Sequence, residues 1–469
     1  MRLVMKFGGN AVNTGEKILC VTKLIKSYKM KGHEIVCIFS AMNGMTDEIL
    51  NTAEHVRRGD MGMINEFIRN TRVAHINIIE QSIVKGELRS LATGVVNDLL
   101  EEMESVLKGL TLVCEVTPRS LDYLLSFGER LLTPIVSVAL KDLGIESIYL
   151  TGKEAGILTD SNFGEARPLM DTTKLRVRFN IEPLISNNVI PLIAGFVGAD
   201  QNGSVTTLGR GGSDYTATII GASIDAQEVW LWGNVDGLLT ADPKIVNDAK
   251  VIKELSFSEA VELVLFGAKY MHPRALEPVM ETNIPVRIRN TFNISHKGTL
   301  IIRNPNKSSK QIVKSVIAIR HNALIDVSGG GMIGSPGTAA KIFEALAKKK
   351  VNIMMISQSP SESSISMVVK RDDLDTATTT LDLTLLGKVI KNVKVNDNIS
   401  VIAVVGSGMR GIKGVAAKVF NAVAENGINV IMIAQGSSEL NLAFAVHDND
   451  SDRAVIALHY AFNLSKINS

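Results

Sequence analysis

Two short stretches carry residues that could handle a phosphoryl group. Lys6-Phe7-Gly8-Gly9 closes an apolar run, Leu3 to Phe7, that reads as a strand. Bare backbone N–H groups and one ammonium at a strand end make an anion cradle, although the same residues serve equally as a tight βα turn with an exposed lysine. Gly209-Arg210-Gly211-Gly212-Ser213-Asp214 precedes an apolar helical stretch, Tyr215 to Ile220. Its glycines let backbone donors approach an anion, and Ser213 and Asp214 stand where they can cap that helix. A capping role accounts for Asp214 but leaves Arg210 in the same loop unexplained, which favours a binding loop. No Gly-x-x-x-x-Gly-Lys-Ser/Thr occurs, so a phosphate site here is not a P-loop. Two weaker signals are Ser126-Phe127-Gly128-Glu129-Arg130, where a Glu-Arg pair on a helix ordinarily faces water, and Ser40-Ala41-Met42, which closes the second strand with small residues.

The elements that must position these residues alternate along the first two-thirds of the chain. Strand candidates are Leu3 to Phe7, Ile35 to Phe39, Ser147 to Leu150, Val189 to Phe196, Glu228 to Trp232 and Val286 to Ile288, separated by amphipathic helical stretches. That pattern predicts an α/β domain with a mostly parallel sheet, and the first five strands each run into a glycine or small-residue turn, where such sheets bind ligands. Residues 46–144 read as nearly all helix, including 61–85 and 95–107, with Thr133-Pro134 as a helix start and Gly144 as a stop. Ser256 and Glu259 form a capping-box pattern for a helix that Gly267 ends.

The last third repeats itself. Residues 329–369 and 406–446 align without a gap at an offset of 77, with 18 identities in 41 positions. Each copy runs Gly-x-Gly-Met-x-Gly-x-x-Gly, a helix, a strand after Asn352 or Asn429, then Gln-x-x-Ser-Glu and a further strand. This is the order of a ferredoxin-like module, twice. The turns leave backbone groups and carboxamides free to clasp a small amino acid, with Met332, Gly337, Asn352, Gln358, Asn429 and Gln435 as candidates; a dimerisation role is the plainer alternative. The polar stretch 304–310 marks a domain boundary.

Composition narrows the partners. With 469 residues the chain should hold about three folding units. Lys+Arg number 50 and Asp+Glu 48, a net charge of +2, too balanced for a chain-wide nucleic-acid or membrane surface. Three cysteines without paired spacing, and eight histidines without ligand spacing, predict a reduced, cytoplasmic chain with no metal-binding site of its own. The N-terminus lacks the apolar core of an export signal, and no stretch reaches about 18 uninterrupted apolar residues.

Taken together, the stretches KFGG (6–9), SAM (40–42), SFGERL (126–131), TLGRGGSDYTA (207–217), FGAK (266–269) with HPR (272–274), and the doubled C-terminal unit resemble the aspartate kinases of the amino-acid-kinase family, quite closely those of archaea. The likeness runs from Met5 to about Val446. It implies an amino-acid-kinase fold, a mostly parallel sheet sandwiched by helices, over 1–303 with a helical insertion at about 46–144. A regulatory region follows over 304–469, with tandem ACT-like repeats at about 312–390 and 395–469. The implied reaction is phosphoryl transfer from ATP, with Mg²⁺, to the side-chain carboxylate of L-aspartate. That carboxylate is already ionised at neutral pH, so no general base is needed.

By the same resemblance Lys6 stabilises the transferring group, Gly8 and Gly9 supply backbone donors, and Asp214 organises Lys6 and the metal-nucleotide. Arg210 holds an aspartate carboxylate and Glu129 the ammonium, with Ser40, Thr46, Gly211, Gly212 and Ser213 on the substrate side. Gly233, Asn234, Leu239, Lys244 and Lys269 line the nucleotide. The paired modules imply a homo-oligomer, dimer or tetramer, and feedback inhibition by threonine or lysine, the first copy's likeness favouring threonine.

Five positions depart from the family pattern: Asn10 stands where Thr or Ser is usual, Gly233-Asn234 where Thr-Asp, Leu239 where Tyr and Lys244 where Arg. Lost hydrogen-bond partners, each worth on the order of 1 kcal/mol, predict weaker or altered nucleotide selectivity. They also motivate an alternative, an amino-acid sensor of the same fold with impaired catalysis.

Overall fold

A computed structural model of the chain describes residues 1–267, 271–305, 311–387 and 390–466. They form two compact units. The first spans Met1–Leu238, Lys253–Phe257 and residues 271–305.

In the first unit, β1 (Arg2–Phe7), β2 (Glu34–Phe39), β3 (Ser147–Leu150), β4 (Ile190–Ala194), β7 (Glu228–Gly233), β8 (Glu254–Ser256), β9 (Val286–Asn290) and β10 (Thr299–Ile302) build one sheet in the order β3-β4-β2-β1-β7-β9-β10-β8. All neighbours are parallel except β9 and β10. A separate ribbon pairs β5 (Val197–Ala199) with β6 (Val205–Thr207). The central strands β1, β2 and β4 are almost wholly buried, as their unbroken apolar runs require of a sheet covered on both faces. The helices are α1 (Gly15–Met30), α2 (Met45–Arg57), α3 (Met61–Ser82), α4 (Gly86–Val113), α5 (Pro118–Asp142), the single turn α6 (Gly152–Ala155), α7 (Met170–Ser186), α8 (Gly212–Ser223) and α10 (Glu277–Thr282); α9 (Phe257–Leu265) leads out of β8.

Helix α5 is the core helix. It is long and apolar enough to cross a membrane by composition, but 89% of its most apolar window is buried in protein. One expectation is corrected here. Thr133-Pro134 starts no helix: Pro134 lies inside α5, and the start is Thr117-Pro118, with the Thr117 side chain accepting from the Ser120 N–H. Both dipeptides carry the same local signal. The Thr133 hydroxyl instead donates to the Glu129 carbonyl at 2.7 Å, and tertiary burial holds the interior proline in helical register.

The second unit holds segments Leu239–Ile252 and 258–267 together with residues 311–466. Its strands are β11 (Ser315–Ser328), β12 (Ile353–Gln358), β13 (Ser364–Lys370), β14 (Asn392–Val405), β15 (Met432–Ala434) and β16 (Asn441–His447), in one antiparallel sheet ordered β12-β13-β11-β14-β16-β15. Helices α11 (Thr338–Lys348) and α12 (Leu374–Thr384) cover the first module, α13 (Val415–Glu425) and α14 (Ser451–Ala461) the second. The equivalent strands β11 and β14 pair along their length and fuse the two modules.

The packing therefore does not divide at residue 303. Ala241 and Val246 lie in the core of the second module beside Val316, Val404 and Phe444. The Thr240 carbonyl accepts from the Val316 N–H at 2.9 Å, and its hydroxyl meets buried His459 Nε2 at 3.0 Å. Helix α9 joins the same unit: Glu259 accepts from the Ser407 N–H at 2.8 Å and Glu262 from the Asn441 amide. Glu259 thus reaches across to the repeat's glycine turn.

Candidate active site

Lys6 is the last residue but one of β1, between β2 and β7, so its side chain stands near the carboxyl edge of the parallel strands. Its Nζ lies 2.6 Å from Asp214 Oδ1, and both side chains are nearly buried. Gly211, with φ of +73°, is the N-cap of α8, which makes Asp214 the third helical residue; its carboxylate serves Lys6 rather than the capping position. The expectation that Ser213 and Asp214 cap this helix is thereby corrected.

Glycines bring the remaining loops together, because a side chain at any of them would collide. A Cβ on Gly9 would sit 2.6 Å from the Ala41 carbonyl, on Gly128 2.8 Å from Ala41 Cβ, and on Gly195 2.8 Å from Ser213 Cβ. On Gly211 it would lie 2.4 Å from His272 Cβ. KFGG, SAM, SFGER, GRGGSD and HPR therefore converge. The Gly8 N–H is already committed to the Trp232 carbonyl at 3.2 Å, so its donor role requires that bond to open.

Glu129 is fully buried on α5. Burial pushes its carboxyl up to about 8, against hydrogen bonds from the Ala41 N–H and the Ser213 hydroxyl and the field of Lys6. Its Oε2 has no hydrogen-bond partner among the described residues. A buried oxygen left open beside a phosphate-type cradle is what a cationic ligand group would complete. Arg210 is exposed and makes no ion pair among the described residues. Its field, with that of Arg274, adds to burial in holding His272 below the usual imidazole range.

Ser40 follows β2, its N–H bonded to the Phe7 carbonyl at 3.1 Å, and Thr46 is half-buried in the first turn of α2 beside Met45, which lies against Gly128. Gly212 packs on Phe196. Gly233 and Asn234 follow from β7; the Gly233 carbonyl accepts from the Thr291 N–H and Asn234 is exposed. Leu239 and exposed Lys244 belong to the segment packed in the second unit. Lys269 lies outside the described residues, as do residues 306–310 of the expected boundary.

Four contributors were missed by sequence reasoning. Ala41 supplies a backbone donor. His272 buttresses Gly211. Phe196, at φ +70°, holds its N–H to the Thr216 hydroxyl at 3.0 Å. Asp122, buried on α5, accepts from the Thr207 N–H and hydroxyl and the Gly164 N–H, pinning the approach to the glycine loop. SAM and HPR were visible as motifs; Phe196 and Asp122 left no local signal.

In the first repeat module a cavity of about 410 Å³ is lined by Met332, Gly337, Gln358 and Glu362. Glu362 accepts from the Gly334 N–H at 3.0 Å, and Glu439 repeats this with Gly411. Asn352 is exposed and does not line the cavity; Asn429 and Gln435 are exposed in the second module.

A parallel sheet with a lysine-carboxylate pair and glycine loops at its carboxyl edge, followed by fused ferredoxin-like modules, defines a small-molecule kinase with a ligand-sensing region. The profile of the amino acid kinase family matches residues 1–290, and that of the ACT domain matches 325–384 and 402–462. The chain is similar to chloroplastic aspartokinase 3 of Arabidopsis thaliana, 33% identical over 98% of this chain and 81% of that protein. It also resembles a chloroplastic bifunctional aspartokinase/homoserine dehydrogenase 2 of Zea mays, 32% identical over 99% of this chain and 51% of that protein. Among solved structures, E. coli aspartokinase III in complex with aspartate and ADP matches with a TM-score of 0.82 at 26% identity, covering 98% of this chain and 99% of that one. The same enzyme with lysine and aspartate matches equally. The chain belongs to the amino acid kinase family, within its aspartokinases.

Proposed function

We propose that this chain transfers the γ-phosphoryl group of ATP to the side-chain carboxylate of L-aspartate, giving 4-phospho-L-aspartate and ADP, under feedback control by an end-product amino acid. The observation that carries the reading is the Lys6–Asp214 pair at 2.6 Å beside buried Glu129 with its open Oε2. A phosphate-facing cation and an ammonium-facing carboxylate in one cleft suit a substrate that is both acceptor and α-amino acid.

The acceptor carboxylate is ionised, so catalysis reduces to positioning and charge neutralisation. Lys6 would meet the transferring phosphoryl oxygens, oriented by Asp214, and the Gly9 backbone would lie against the phosphates. Exposed Arg210 would grip a substrate carboxylate through two parallel N–H donors, geometry a lysine lacks. Glu129 and Ser213 would hold the ammonium end. Mg²⁺ would ride on the nucleotide and spread the phosphate charge; a cradle of backbone donors with one balanced ion pair suits an incoming metal-nucleotide.

The first-module cavity is the proposed effector site, with Met332, Gly337 and Gln358 in its wall. Threonine is the favoured effector over lysine, on the first module's likeness to threonine-sensing relatives. The fused modules would also carry oligomer contacts, and the chain would work in the cytoplasm.

The test is aspartate-dependent ADP release with hydroxylamine trapping of the acyl phosphate, with and without threonine or lysine. Trapped product that vanishes in Asp214→Ala supports the kinase. Amino-acid binding without turnover supports the alternative sensor, motivated by Gly233, Asn234 and Leu239.

A further inference from the structure

Glu129 is a buried carboxyl group with no ion pair among the described residues. The Ala41 N–H, its own N–H and the Ser213 hydroxyl favour its ionised form, while Oε2 is buried and without a hydrogen-bond partner among the described residues. Among the described residues, the charged groups around it pair with other residues or face water. Lys6 on β1 is neutralised by Asp214 on α8 at 2.6 Å. On α5 itself, Arg130 points its Nη2 at Glu102 of α4 and stacks on Phe127, and Asp122 is held by Thr207 of β6. On the glycine loop Arg210 is exposed, and His272 packs on Gly211. An ionised carboxylate in such a place is costly until an opposite charge arrives.

We propose that Glu129 meets its substrate as a neutral carboxylic acid, and that docking of the substrate ammonium on Oε2 drives the carboxyl proton into solvent, so that aspartate binding and proton release are one event. The inference rests on the aspartate kinase reading and deepens it. In the step the carboxyl O–H bond breaks, the proton passes to water or buffer, the substrate keeps all three ammonium hydrogens, and no electrons are exchanged. Burial raises the carboxyl to about 8 in the free chain, in keeping with this. The arriving ammonium supplies the missing charge and reverses the preference.

Two consequences separate this from a merely structural glutamate. Because productive binding costs the free enzyme its Glu129 proton, kcat/KM for aspartate should climb about tenfold per pH unit below roughly pH 8. At saturating aspartate the group is already ionised, and kcat should stay flat over that range. Uniform loss of both constants with pH contradicts the proposal.

The direct test is calorimetric titration of the full chain with L-aspartate at about pH 7, in phosphate and in Tris, whose ionisation heats differ widely. Release of roughly 0.9 proton per aspartate is expected, since a group at about 8 is ten-elevenths neutral one unit lower. Glu129→Gln should bind more weakly, with heats independent of buffer. Binding heat in the wild type that is equal in the two buffers overturns the proposal while leaving the kinase reading intact; no aspartate heat in either buffer overturns both. Proton release that survives in Glu129→Gln assigns the proton to another group and also overturns it. Should Glu129→Gln fail to fold, Ser213→Ala serves: it removes a hydrogen bond that favours the ionised form, so the midpoint of the kcat/KM profile must move to higher pH. An unmoved midpoint counts against Glu129.

Discussion

Lys6 near the end of the first strand and Asp214 in the first turn of α8 touch at 2.6 Å, one charged pair assembled from distant parts of the first unit's sequence. Neither residue has a second ion-pair partner among the described residues. Asp214→Asn keeps the shape and removes the charge that orients the lysine. Turnover should fall by at least about 100-fold, the scale of losing one electrostatic contributor to a transition state. Lys6→Met should fall as far, and the double variant little further, because the two act as a unit. Rates of ADP release in the four proteins decide it; additive losses would show independent roles.

The contact between Gly211 and His272 allows a sharper test of the loop. Gly211 has φ of +73° and no room for a Cβ. Gly211→Ala should cost about 1–3 kcal/mol of stability from strain and displacement. It should also raise the aspartate KM well above the ATP KM by moving Arg210. Thermal unfolding and steady-state kinetics measure the two effects; His272→Gly in the same background should recover part of the stability by removing the Cβ that collides.

Stability should also respond to Glu129. Its folded-state carboxyl is raised to about 8 from an ordinary value of 4.5, so the folded chain holds a proton that the unfolded chain releases between those values. The sign follows: this contribution is full below the unfolded value and is lost as pH rises toward the folded one. Glu129→Gln should therefore melt above the wild type at about pH 9, and the difference should shrink on acidification. Calorimetric scans across that range check it, and a gap that widens toward acid would contradict the assignment.

Glu362 and Glu439 make the same bond to a glycine turn, but Glu362 also lines the 410 Å³ cavity. Glu362→Ala should blunt inhibition by threonine or lysine at least tenfold in half-maximal concentration, with uninhibited turnover unchanged. Glu439→Ala should leave inhibition near wild type. Equal effects from the two would place sensing in both modules.

The alternating strands and helices and the doubled 77-residue unit were legible because each rests on a local period that residue types set by themselves. So were the glycine loops, whose spacing follows from where a backbone must approach something closely. Thr117-Pro118 and Thr133-Pro134 show the limit: both carry one signal, yet the first starts α5 and the second is buried within it. Segments Leu239–Ile252 and 258–267 likewise read as part of the catalytic stretch, but Ala241 and Val246 found their apolar partners in the second module. The chain alone determined which groups exist and which elements carry them. Tertiary structure decided which of them meet, and so which charges Glu129 can keep, because burial and electrostatic fields sum over neighbours that sequence distance does not predict.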